Sequence, residues 1–313
     1  MATDRAAAVA VEGPVGGAAA PGTSPSEFRL AVRALLRRPP ALFGLACCTV
    51  VILWALAPGL FAPMDPLEQN LARYLKAPGY VDAEGRTYWL GTDQQGRDVL
   101  SRVIWGSRIS LIVGITTVVL SGLVGVFLGI VAGYRGGWID SVIGRVIDTL
   151  FAVPFILLAM SLVAILGPSL ENVILAIALR TWILYARVVR GEALSLREQE
   201  FVVGARAMGC GTTRVLLLYL LPNVMSSTIV VATLNLGRMI IIESSLSFLG
   251  LGIPPPTPTW GGMLAEGRVF LDTAWWIAFF PGVILMFTVL GTNLLGDWLR
   301  DILDPRLKRL GDS

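Results

Sequence analysis

The sequence predicts an all-α, polytopic membrane protein with about six transmembrane helices. Three observations carry that prediction. Of its 313 residues 55% are hydrophobic and only 15% charged, and the mean hydropathy is +0.71, a balance that a water-soluble domain does not tolerate. The apolar residues gather into runs of about 20, the length that crosses a hydrocarbon core of about 30 Å. The arginines collect at alternate ends of these runs, which is the pattern that orients a membrane protein.

Residues 1–27 are rich in Ala, Gly and Pro, and Glu12 interrupts their longest apolar stretch. They read as a disordered cytosolic tail and not as a signal peptide. The first span covers about 41–61, and Arg29, Arg33, Arg37 and Arg38 before it hold the N-terminus inside. With a polar external segment up to 108 it forms a first unit, 28–108. The core unit, 109–300, opens with a span over about 109–134, in which Ser121, Gly125, Gly129 and Gly133 recur at every fourth position. Such a small-residue stripe lets two helix backbones approach closely, so it is expected to pack on protein.

A short interfacial helix is expected around 138–147, then a third span over about 149–166 kinked at Pro154. The turn Gly167, Pro168, Ser169 leads to a fourth span, about 172–189, which exits at Arg187 and Arg190. A polar interval precedes the fifth span, about 224–242, and a Pro-rich stretch from Pro254 to Pro258 follows it. Trp275 and Trp276 mark the start of the sixth span, which ends near Trp298. Residues 301–313, with Arg306, Lys308 and Arg309, form a cytosolic tail. Both termini are therefore expected inside.

Composition removes several functions. The chain has no His, which excludes Ser/His and Cys/His nucleophiles and histidine zinc motifs. Its two lysines, Lys76 and Lys308, each follow Leu, so no Walker loop is present and another polypeptide must bind any ATP that drives it. The net charge of +3 comes from dispersed basic residues, unlike a nucleic-acid footprint. Cys47, Cys48 and Cys210 have neither disulfide nor metal spacing. Nothing calls for a cofactor.

The interval between the fourth and fifth spans is the most informative. Phe201, Ala205 and Met208 fall at i, i+4, i+7 of a short amphipathic helix that carries Glu200 and Arg206 among its polar residues. Gly209 stands where a left-handed cap ends that helix, Thr212 or Thr213 can cap a second one, and Pro222 is expected to end it. Periodicity alone leaves three readings: a linker lying on the lipid, a DNA-reading helix-turn-helix, or a docking element for a cytosolic partner.

These residues resemble the coupling-loop motif of bacterial ABC importer permeases: E-A-A, three residues, G, nine residues, I-x-L-P. Gly209 matches the glycine, Ala205 the second alanine, and Leu221 and Pro222 the end, with Tyr219 at the isoleucine. Val203 and Gly204 replace the first Glu and Ala, and Glu200 is the nearest acid. Three further stretches resemble the C-type permease of dipeptide, oligopeptide and nickel importers. They are Leu90-Gly-Thr-Asp-Gln-Gln-Gly-Arg-Asp-Val-Leu-Ser-Arg102, Glu243-Ser-Ser-Leu-Ser-Phe-Leu-Gly-Leu-Gly252 with Pro255, Pro258, Trp260 and Gly261, and Gly296-Asp-Trp-Leu-Arg-Asp301 with Asp304-Pro305-Arg306.

The resemblance implies the type I importer permease fold in a bacterial inner membrane. It further implies a homologous B-type permease beside this chain, one or two ATPase subunits below, and an extracytoplasmic substrate-binding protein above. On that reading Glu200, Phe201, Ala205, Arg206, Met208, Gly209, Leu221 and Pro222 couple to the ATPase, and the chain is no enzyme itself. Nickel chelates, opines or haem are alternative cargoes, and an ion-coupled secondary transporter is the rival mechanism.

Charge within the spans is a separate signal. Arg180 lies mid-way along the fourth span and Arg238 within the fifth, with Glu243 at its outer end. Charges at that depth are costly and must face protein or water. Either Arg180 pairs with Glu243 or with carbonyls as helix glue, or these groups line a substrate path.

Overall fold

The computed structural model describes residues 35, 36 and 38–303. The tail expected over 1–27, residues 304–313 of the C-terminal tail, and Arg29, Arg33, Arg37, Arg306, Lys308 and Arg309 lie outside them. Most of the described chain is helical; a two-stranded hairpin is the only sheet among the described residues. Five helices are long and apolar enough to cross a membrane, and a bent helix pair makes a sixth crossing.

Helix α1 (Pro39–Leu56) begins with two prolines, which suit a first turn where N–H groups have no helical acceptor, and the short α2 (Pro58–Phe61) continues it. The polar segment that follows contains the hairpin β1 (Tyr80–Val81) and β2 (Thr87–Tyr88). Helix α3 (Val99–Arg135) has 37 residues and starts at Val99, not at Ile109. At 1.5 Å per residue it is about 55 Å long, more than a bilayer needs. Its extra turns follow from local capping: the Asp98 carboxylate accepts from the Ser101 backbone N–H at 2.8 Å and from its hydroxyl at 2.6 Å.

The third crossing is broken where the sequence predicts a kink. Helix α4 (Gly137–Ala152) and helix α5 (Phe155–Leu166) meet at 88°. Pro154 has no N–H to continue α4, and it drives Val153 to an extended backbone, φ −84° and ψ 126°. Residues 149–152 therefore belong to α4, which lays Ile143, Ile147 and Leu150 against Trp182, Ile183 and Ala186.

Helix α6 (Leu170–Leu196) is capped by the Ser169 hydroxyl, which accepts from Asn172 N–H at 3.1 Å. The short helix α7 (Glu200–Ala207) follows. The next helix corrects a second expectation, because Pro222 does not end it. Residues Thr212–Phe248 form one continuous helix, α8, whose second turn, Leu216–Leu220, has π geometry. The wider turn absorbs the proline's missing hydrogen bond and its ring, so Pro222 opens the next α-helical stretch. Helix α9 (Trp260–Gly267) and the last span, α10 (Trp276–Leu303), complete the chain; residues 301–303 continue α10 and are not tail.

The helices pack as one bundle with two unlike ends. The end that holds the hairpin is tied to the turns after α8: Trp260 donates to Val103 O at 2.9 Å, and Trp276 donates to Thr92 O at 3.0 Å. At the other end Arg38 pairs with Asp301 across 263 residues. The start of α1 and the finish of α10 are therefore on the same side of the bundle.

Candidate functional site

Three places hold the residues that the sequence singles out. The first is the turn between α6 and α8. Gly209 has φ +84°, a conformation that favours a residue without a side chain. Around it Cys210 N–H reaches Ala205 O and Gly209 N–H reaches Arg206 O, both at 3.0 Å, the paired bonds of a Schellman cap. The cap reverses the chain and seats α7 against the first turns of α8.

One stripe of α7 is buried within the chain, and of the three residues grouped by the i, i+4, i+7 spacing it takes only Ala205. Val202 and Ala205 are buried, and Val202 packs with Val215, Leu220 and Val224. Phe201 is 44% exposed and Met208 78% exposed. With eight residues, α7 has room for one buried stripe, and the turn at Gly209 aims Val202 and Ala205 into α8. Phe201 and Met208 are left on the outer surface beside Glu200 and Arg206, which are exposed as well. Leu221 and Pro222 lie inside the long helix behind this turn.

The second place is the stripe on α3. A side chain at Gly129 would come within 2.8 Å of Ala186 O and 2.9 Å of Val189 Cβ, and one at Gly133 within 2.7 Å of Ala193 Cβ. Gly125 is against Trp182 and Tyr185 in the same way. All three face α6 of the same chain. Arg197 extends this seam by donating to Gly133 O at 3.2 Å.

The third place is the set of intramembrane charges, and here the pairing of Arg180 with Glu243 is not formed. Glu243 is fully buried and takes hydrogen bonds from hydroxyls only: Ser247 at 2.8 Å, and Ser110 and Ser244 at 3.4 Å. Arg180 instead stacks its guanidinium 3.9 Å from the centroid of Phe151. Phe151 comes from the last turn of α4, so the break at Pro154 supplies the partner. Arg238 lies on an exposed face of α8, and with Arg180 it lines a cleft of about 540 Å³ between α5, α6 and α8.

Sequence reasoning quotes Asp93, Arg97 and Arg102 only as part of a motif and does not bring Glu266 to them. The structure joins all four in a buried network. Arg97 reaches Asp93 at 2.6 Å and Glu266 at 3.0 Å, and Arg102 binds both Asp93 and, at 2.7 Å, Glu266. Gln94 adds a bond to Glu266 at 3.1 Å. Burial opposes the charge on Glu266, but the Arg102 and Arg97 guanidiniums outweigh it and hold the carboxyl below the usual range. Asp98, buried with no cation on it, is pushed up. A second set, Arg73 and Arg86 with Glu68, Asp82 and Glu84, neutralises the hairpin.

Comparison with known proteins identifies the architecture. Residues 125–309 match the model of the binding-protein-dependent transport system inner membrane component. This chain belongs to that family. It is a multi-pass permease of an ABC importer and not itself an enzyme. Residues 26–78 of the permease also match the N-terminal transmembrane domain of oligopeptide transport permease C. The permease is 42% identical over 286 residues to the dipeptide transport system permease protein of Alkalihalophilus pseudofirmus, covering 91% of this chain and 92% of the relative. It is 40% identical to the di/tripeptide transport system permease protein of Pseudomonas aeruginosa, covering 91% and 94%. To the glutathione transport system permease protein of Pectobacterium atrosepticum it is 43% identical, covering 81% and 87%.

Proposed function

We propose that this permease forms, with a homologous B-type permease, the path through which dipeptides and short oligopeptides enter the cell. The observation that carries the reading is the end-to-end similarity to dipeptide and di/tripeptide permeases, which spans more than nine tenths of each chain. One or two ATPase subunits provide the energy, and an extracytoplasmic binding protein delivers the peptide. The turn at Gly209 is the ATPase contact, with Phe201 and Met208 entering a cleft of that subunit and Glu200 and Arg206 at its rim. The apolar side chains of Phe201, Val203 and Met208, all exposed on this turn, support this, since such a surface is covered when it has a partner.

That turn is cytoplasmic in this reading, with both termini inside and the hairpin outside. Reporter fusions at Gly85 should read external and those at Gly211 cytoplasmic. Uptake of a labelled dipeptide in a deletion strain, complemented by this gene, tests the cargo. Competition by tripeptides is expected and competition by nickel or haem is not; the glutathione permease relative makes glutathione the next competitor to try.

A further inference from the structure

Arg180 and Arg238 have an environment that neither helix packing nor ATPase coupling uses. Arg180 is ten residues from the start of α6 at Leu170, and Arg238 is ten residues from the finish of α8 at Phe248. Both helix ends are at the hairpin end of the bundle, so each Cα lies about 15 Å below it, near the middle of a hydrocarbon core of about 30 Å. A guanidinium at that depth cannot rest against lipid.

Neither arginine has an acid among the described residues. Glu243 is held by three serines, Asp148 is 3.5 Å from Arg187, and Asp140 is 2.5 Å from Arg190. The Nε of Arg180 is closed off from solvent and bonded to nothing, while Phe151 fixes the plane of the group. The rest of the cleft is apolar apart from Thr181, Asn235 and Ser245. Two uncompensated forks facing one cleft in a low-dielectric region are built for a planar anion.

We infer that this cleft is a mid-membrane carboxylate site: Arg180 and Arg238 take the carboxylate of the cargo as it crosses. The inference rests on the peptide-import reading and adds the group that the path recognises. It also explains the apolar lining, which leaves side chains of any kind unselected once the charge is held.

Two measurements on the full complex in proteoliposomes test it. For uptake of labelled alanyl-alanine, the double variant R180Q/R238Q should be slower by at least about tenfold, the cost of losing charged hydrogen bonds. R180K/R238K should recover most of the rate. Complex yield and binding-protein-stimulated ATP hydrolysis should stay at wild-type levels in both. Equal loss in the Lys and Gln variants, or a Gln variant that no longer assembles with its partner permease, overturns the inference; the second result assigns the arginines to an acid of that partner. The other measurement places a thiol at the cleft by R238C, with Cys47, Cys48 and Cys210 replaced by Ala. A sulfonate thiosulfonate reagent should then label about tenfold faster than its trimethylammonium analogue, and R180Q should abolish that preference. Equal rates with Arg180 present overturn the site whatever the cargo is. If wild-type vesicles take up no dipeptide while the R238C protein keeps the reagent preference, only the cargo reading is overturned and the site is supported.

Discussion

The two ends of the bundle hold similar numbers of charged groups and use them in opposite ways. At the hairpin end, Arg97 and Arg102 are 2% exposed and their acids are drawn from positions up to 169 residues away. At the α7 end, Glu200 and Arg206 are exposed, and the apolar side chains of Phe201, Val203 and Met208 stand out of the surface beside them. A buried, satisfied network costs desolvation and rewards it with one fixed arrangement. An exposed turn on a glycine cap costs little to form and leaves its side chains for another surface. The first end is built as a rigid cap over the helices, and the second carries the proposed ATPase contact.

The largest effect expected from breaking this contrast is at Glu266. Glu266→Ala leaves Arg97 and Arg102 buried with Asp93 alone, at a cost of about 3–5 kcal/mol. Thermal unfolding of the purified complex should shift down sharply, and the yield should fall. The same network sets a pH dependence. The folded carboxyl of Glu266 titrates below its unfolded value, so its contribution is complete above the usual glutamate range and disappears as the pH falls through the lowered value. Unfolding temperatures measured from pH 7 downward should be flat and then decline, and Glu266→Gln should flatten the decline.

Next in size is the seam between α3 and α6. Gly129→Leu must displace Ala186 and Val189, which costs about 1–3 kcal/mol where the core cannot yield. Because the seam is internal to the chain, the variant should lose stability before it loses its partner permease. Loss of partner binding with unchanged unfolding would place the stripe at an interface between subunits.

At the α7 end, Gly209→Asp imposes a side chain on a left-handed residue with open space around it, so the cost is only the backbone strain of about 1–2 kcal/mol. It should insert and co-purify with the partner permease, yet lose stimulated ATP hydrolysis and uptake. Ala207→Ser should do much less. The smallest stability effect and the sharpest functional one belong to Phe201→Ala with Met208→Ala. Both side chains are exposed, so unfolding should move by no more than about 0.5 kcal/mol, while ATPase recruitment falls. Val202→Ala is the reverse case, since it empties a buried site and should destabilise first. If Phe201→Ala with Met208→Ala retains full stimulated hydrolysis, the turn is a linker on the lipid surface and not a contact.

Much of this was legible in the sequence for a physical reason: hydropathy, small-residue spacing and turn chemistry act over a few residues. The long apolar runs, the stripe at Gly125, Gly129 and Gly133, and the left-handed position of Gly209 all follow from such local signals. The close contact of Gly44 with Gly291, where a side chain would meet a carbonyl oxygen at 2.8 Å, has no such signal, because no other glycine stands four residues from either one.

What the sequence by itself determined is therefore the class of the protein, the approximate spans and the places where the backbone must turn or approach closely. The tertiary structure alone decided who meets whom. Pro222 passes through α8 because a π turn precedes it, and Val202 joins Ala205 on the face of α7 that the chain itself buries while Phe201 stays exposed. Arg180 goes to Phe151 while Glu243 goes to serines, and Arg102 finds Glu266 across 164 residues. Each of these outcomes depends on which helices become neighbours, and a charge finds its partner only after the packing of apolar faces has brought the helices together.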